Sequence, residues 1–285
     1  MTLSQEWQDW LMLNAARGCS RAALVSDLTQ KGGYSVEVAE KAYESVWDEI
    51  ARCHAISKLL KGELIRPDID TTSNRLNVDD RSVSVLMTCD NPRIVLFDEV
   101  LTVEECDELI LLAEERIQLS KVVDANSGES KQHAARTSHG AFFARQESLL
   151  IATIEKRLAR IANWAIEHGE GLQVLRYQIG EEYKTHYDWF DPSHIGSAKH
   201  LSQGGQRVGT FVMYLSEVQA GGGTRFPHLG LEVRPKKGAA VYFANVTEKG
   251  IPDRQTWHAG MPVISGVKYI ATKWLREQPN ENQSQ

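Results

Sequence analysis

A chain of 285 residues with 42% hydrophobic and 25% charged residues can form one large domain, or a main domain with a smaller appendage, and is not a disordered chain. The net charge of −6, without a lysine or arginine stripe, argues against binding the phosphate backbone of nucleic acid as the main activity. The apolar runs are too short to cross a bilayer, and Met1-Thr2-Leu3-Ser4-Gln5-Glu6-Trp7 lacks the basic start and apolar stretch of a signal peptide. Cys19, Cys53, Cys89 and Cys106 lie far apart with no CxxC pair, which predicts reduced thiols and a cytoplasmic protein.

Residues 1–62 read as a helical region. Trp7, Trp10 and Leu11 recur at helical spacing, Gly18 and Ser20 mark a stop and a restart, and Gly32-Gly33 ends a second helix. Ser35 caps a longer third helix carrying Val38, Ala42, Val46 and Ile50, so three amphipathic helices can pack as a small bundle. Residues 63–81 turn polar and read as a linker. Residues 82–278 form the main domain, and 279–285 a polar tail. In that domain, residues 93–97 predict a strand, Thr102 and Glu105 a capping box, and residues 146–168 a long helix closed by Gly169. Short β runs follow at 172–177, 208–215, 239–243 and 267–274, separated by glycine and proline turns. Helices followed by many short strands predict a mainly β fold, a β-sandwich or jelly roll braced by supporting α-helices.

The chemistry concentrates in Tyr183-Lys184-Thr185-His186-Tyr187-Asp188. Side chains alternate along a strand, so His186 and Asp188 share a face. His258, in Thr256-Trp257-His258-Ala259-Gly260, offers a third metal ligand. Two histidines and one carboxylate leave coordination positions open, the set suited to non-haem Fe(II) and oxygen chemistry, with zinc hydrolysis or a zinc-binding module as the alternative. HxD alone arises often by chance. Lys268 adds weight, because a lysine among apolar strand residues needs a partner for its ammonium, and a dicarboxylate cosubstrate would supply one. Tyr177 and Thr210, on neighbouring predicted strands, carry hydroxyls that could bond the same carboxylate.

Arg136-Thr137-Ser138, the run 172–177 leading into His186 and Asp188, the loop Gly221-Gly222-Gly223-Thr224-Arg225-Phe226-Pro227, and His258 with Lys268 together resemble the prolyl 4-hydroxylase family. The resemblance covers residues 93–277 and implies a double-stranded β-helix core and a dioxygenase using Fe(II), 2-oxoglutarate and O2, with ascorbate as a possible reductant. It implies His186, Asp188 and His258 as iron ligands, and Lys268, Tyr177 and Thr210 around 2-oxoglutarate. Tyr183, Trp274 and Arg136 are implied on the substrate side. The implied substrate is a prolyl residue of a peptide or protein, with a free amino acid or other small molecule as the alternative. Gly223 stands where the family often carries an acidic residue. His194, His200 and His228 are read as loop residues rather than ligands, and the N-terminal helices as a brace or a site for a protein partner.

Overall fold

The structure is a computed structural model that describes residues 3–16, 19, 21–60, 65–120, 122–123, 130–131, 135–191, 194 and 196–280. Gly18, Ser20, most of the polar segment 124–133 and the tail beyond 280 lie outside the described residues. No helix among the described residues is long and apolar enough to cross a membrane.

Three helices come first: α1 (Gln5–Ala16), α2 (Arg21–Gln30) and α3 (Val36–Leu60). They bury Leu11, Leu24, Leu28, Ala39 and Tyr43 in a core of their own. The main domain follows with β1 (Arg75–Val78), β2 (Arg81–Cys89), β3 (Ile94–Asp98), α4 (Val103–Glu114), β4 (Gln118–Leu119), β5 (Val122–Val123), β6 (Ser130–Lys131), β7 (His139–Phe143) and α5 (Leu149–Ala162). Next are β8 (Gly169–Tyr177), β9 (Tyr183–His186), α6 (Ser197–Leu201), β10 (Arg207–Tyr214), β11 (Ala220–Gly221), β12 (Thr224–Phe226) and β13 (Leu231–Val233). The last strands are β14 (Ala240–Ala244), β15 (His258–Gly260), β16 (Val263–Ser265) and β17 (Lys268–Arg276).

Nine strands make one sheet in the order β1-β2-β3-β14-β10-β17-β8-β7-β4, and four make a second in the order β13-β12-β15-β9. β10 is buried along its whole length because both faces are covered. Phe211 and Met213 join Ile154 and Leu158 of α5 in a core on the helix side. Val212 and Tyr214, one residue out of phase, pack with Phe226 and Val233 of the second sheet. Antiparallel β-sheets facing each other, braced by helices, are the double-stranded β-helix expected from the sequence.

Local signals act as read in several places. Thr102 and Glu105 form a reciprocal capping box at the start of α4, with N···O distances of 3.0 and 2.8 Å. The long helix predicted over 146–168 is shorter, because Asn163 adopts a left-handed conformation at φ 47° and ends α5, and Gly169 begins β8 instead. The stretch 63–81 is not only a linker. Its Leu76 and Val78 belong to β1, which pairs with β2 at the edge of the large sheet, and Ile65, Ile69 and Val78 are buried. Two apolar residues in a four-residue strand are too weak a pattern to stand out from polar surroundings.

Candidate active site

His186 ends β9 and His258 begins β15, and the two are directly paired in the second sheet. Asp188 lies two residues beyond His186. Histidine Nε2 atoms approach the Asp188 carboxylate at 3.7 Å from His186 and 3.9 Å from His258. All three ligand atoms lie within 4.8 Å of one another, the one such cluster among the described residues. Each imidazole Nδ1 meets a backbone carbonyl, His186 at 2.8 Å from Lys184 O and His258 at 3.0 Å from Thr256 O. A carbonyl only accepts, so it keeps the proton on Nδ1 and leaves Nε2 as a lone-pair donor aimed at the centre. Burial, then the neighbouring His258, push the His186 imidazole down to about 3, so it stays neutral and fit to ligate. Burial raises the Asp188 carboxyl, but His258, His186 and Arg207 outweigh that and hold it below the usual carboxylate range. The donor set fits Fe(II).

Thr210 is placed differently from the expectation. It does not line the cavity over the triad, and its Oγ1 sits 2.9 Å from Asp188 Oδ2. Asn245 Nδ2 donates to the same Oγ1 at 2.9 Å. An amide nitrogen can only donate, so the threonine hydrogen points to Asp188. Thr210 therefore orients the carboxylate rather than a cosubstrate. A threonine that does line the cavity is Thr224, which accepts from Tyr214 Oη at 2.8 Å and keeps its own hydrogen to donate.

Lys268 and Tyr177 are brought together as expected, paired across β17 and β8, with the ammonium 5.0 Å from the tyrosine ring. Lys268 is only 1% exposed, and burial pushes its ammonium down to about 7, opposed by Glu232. Glu232 also resolves the departure at Gly223. A Cβ on Gly223 would lie within 3 Å of the Glu232 carboxylate, so the neighbouring strand places an acidic group in the space a side chain at 223 would take. Gly222, at φ 67°, lets the loop backbone lie against the Lys268 stem, where a Cβ would come within 3.3 Å of Cδ.

Tyr183 stacks on His186 with ring centroids 3.5 Å apart, and the Arg136 guanidinium lies 4.9 Å from the centre of the Tyr183 ring. Arg136 Nη2 donates to Gln173 at 2.8 Å. Trp274 lines the same cavity with its ring 4.0 Å from Arg207. Sequence reasoning missed Arg207 and Glu170. Arg207 grips the Glu170 carboxylate with two bonds of 2.7 Å and lies 3.4 Å from the Asp188 carbonyl. It also missed Trp189 and Trp257 on the cavity wall, where Tyr187 stacks on Trp189 at 4.0 Å. His194 lines the cavity, His200 stacks on Phe190, and His228 packs near Trp257; none belongs to the metal cluster.

A two-histidine, one-carboxylate cluster on the smaller sheet, with a buried lysine on β17 of the large sheet, defines an iron- and 2-oxoglutarate-dependent dioxygenase. The 2OG-Fe(II) oxygenase superfamily model matches residues 172–276. Probable prolyl 4-hydroxylase 10 of Arabidopsis thaliana is 40% identical over 204 residues, 65% of this chain and 69% of that protein. Prolyl 4-hydroxylase 2 of the same plant is 38% identical over 205 residues, 65% of this chain and 67% of its own length. The crystal structure of the viral collagen prolyl hydroxylase of Paramecium Bursaria Chlorella virus-1, solved with 2OG, aligns with a TM-score of 0.51 and 31% identity, over 66% of this chain and 98% of that one. The chain belongs to the prolyl 4-hydroxylase family of 2OG-Fe(II) oxygenases. It is a dioxygenase, and the zinc-hydrolase alternative falls away.

Proposed function

We propose that this dioxygenase hydroxylates prolyl residues within peptides or proteins. The observation that carries the reading is the wall of the cavity, about 380 Å³, above the triad: Tyr183, Tyr187, Trp189 and Trp257 surround it with aromatic faces. Such faces suit the polarised C–H bonds of a proline ring, which in a peptide has no N–H to satisfy. The prolyl 4-hydroxylases among its relatives support the same substrate class.

In this reading His186, Asp188 and His258 hold Fe(II), which with 2-oxoglutarate and O2 supplies oxidation of an unactivated C–H bond while the keto acid is converted to succinate and CO2. The protein's own part is placement. Lys268 neutralises the far carboxylate of 2-oxoglutarate, with hydroxyls from Tyr177 and Thr224 beside it. Tyr183 presents its ring to substrate, and Arg136, packed on that ring, holds it in place. Trp274 closes the cavity floor with one face covered by Arg207. Ascorbate serves as a reductant for the resting site, and a reducing cytoplasm suits the free thiols of Cys19, Cys89 and Cys106. The N-terminal helices act as a site for the protein substrate.

A panel of proline-containing peptides set against free amino acids tests this. Succinate release coupled to a +16 mass shift on proline is expected for peptides, with free L-proline a poor substrate. Coupled turnover of a free amino acid with no peptide modified would contradict it.

A further inference from the structure

Trp189 and Asp191 each face two cavities. On one side they line the active-site cavity, and on the other they close a second, smaller one of about 50 Å³ against the helical bundle. Tyr43, Trp47 and Asp48 of α3 form its far wall, and Arg254, four residues before His258, forms its edge. An exposed ion pair of 3.3 Å between Arg254 and Glu44 joins bundle and domain here. A chain lying in the active site reaches this second cavity past a single side-chain layer, a span of a few extended residues at about 3.3–3.6 Å each.

The chemistry of the cavity selects its occupant. Tyr43 and Trp47 stack at 6.4 Å, and Trp189 supplies a third aromatic ring. Three carboxylates, Glu44, Asp48 and Asp191, face two guanidiniums, Arg21 and Arg254. Both guanidiniums are already engaged, Arg254 with Glu44 and Arg21 with Glu40 at 3.4 Å. Arg52, the other cation near Asp48, pairs with Glu49. Asp48 has no ion pair within 4 Å among the described residues; it is exposed at the cavity edge, and the partial desolvation of its carboxyl raises it above the usual range against the pull of Arg254 and Arg52. The negative charge of Asp191 also reaches Tyr43. A carboxylate at the open edge of a cavity walled by aromatic faces attracts a cation, and the volume takes the end of one side chain rather than a whole residue.

We propose that this cavity is a subsite for a lysine or arginine side chain of the peptide substrate, a few residues from the hydroxylated proline. The proposal rests on the peptide reading above and adds to it a sequence preference set by the helical bundle.

The test uses the full chain with Fe(II) and 2-oxoglutarate and short peptides with one proline. Lysine is placed in turn at each flanking position, with norleucine at the same position as the neutral match. At one position lysine should improve kcat/KM about ten-fold over norleucine, mainly through KM. In Asp48→Asn that ratio should fall to about one, and in Asp48→Lys glutamate should become the preferred residue at that position. Peptides that are hydroxylated with no position favouring lysine, or with the preference intact in both variants, would overturn the subsite and leave prolyl hydroxylation standing. Turnover of a free amino acid with no peptide modified would overturn the peptide reading, and the subsite with it.

Discussion

Thr210 Oγ1 lies 2.9 Å from Asp188 Oδ2 and is held there by a second bond of 2.9 Å from Asn245 Nδ2. The amide fixes the direction of the hydroxyl, and the hydroxyl fixes the carboxylate, so one oxygen of Asp188 is committed before any metal arrives. Removing the hydroxyl leaves a buried carboxylate oxygen without that donor. Thr210→Val should weaken Fe(II) binding about 10- to 100-fold, the usual range for partners that orient a metal ligand. Thr210→Ser should stay near the native value. Anaerobic titration with Fe(II), or with Co(II) as a coloured probe, measures both; equal affinity in Thr210→Val would remove this role.

A second prediction follows from Lys268, whose ammonium is pushed down to about 7 by burial. Below that pH it is already charged and ready for a carboxylate. Above it, binding 2-oxoglutarate requires uptake of a proton, so the apparent Kd should rise by about ten-fold per pH unit. Glu232 supports the charged form, so Glu232→Gln should move the onset of this rise to lower pH. Calorimetry in buffers of different ionisation heat, which reads proton uptake directly, checks the sign; no uptake at pH 8 would contradict it.

Glu170 sits 3% exposed between Arg207 and Arg276, which hold its carboxyl below the usual range against the pull of burial. Glu170→Gln leaves two buried guanidiniums short of a countercharge. Loss of stability should be about 3–5 kcal/mol, measured by urea unfolding. A change within experimental error would mean that the network is solvated.

The edge strand gives a fourth prediction. Deleting residues 1–62 removes the bundle and leaves every strand of the large sheet in place, so the remainder should stay folded and keep the metal site. Deleting residues 1–80 also removes β1 with Ile69 and Val78, buried aliphatics worth about 1.5–3 kcal/mol each. The shorter chain should melt earlier or aggregate, which thermal unfolding of the two truncations will show. Equal melting temperatures would show that β1 adds nothing.

HxD and a strand lysine each have a common bland reading, and the triad and Lys268 were legible because they stand together with the ordered motifs around Arg136, Gly221 and His258. β8, β10 and β17 were legible as short runs rich in β-branched and aromatic residues, Val174 and Tyr177, Val208 and Phe211, Ile270 and Trp274, bounded by turn residues. What could not be read depends on contacts distant along the chain. Glu170 and Arg207 are 37 residues apart and meet only because β8 and β10 both flank β17. Thr210 looked like any strand threonine near a carboxylate site, and only the positions of Asn245 and Asp188 reveal which carboxylate it serves. β1 was hidden because its two apolar residues become meaningful only when β2 lies beside them.

The central claim is that His186, Asp188 and His258 hold Fe(II) while Lys268 holds the far end of 2-oxoglutarate. Anaerobic visible spectroscopy tests it most directly, by titrating the Fe(II)-loaded protein with 2-oxoglutarate and following the weak charge-transfer band of keto acid chelation. The native protein should show the band, and Asp188→Ala should show none. Lys268→Ala should need about 10- to 150-fold more 2-oxoglutarate to develop it, the loss of one charge-assisted pair of about 1.5–3 kcal/mol. A native protein without the band, or three proteins that titrate alike, would contradict the account.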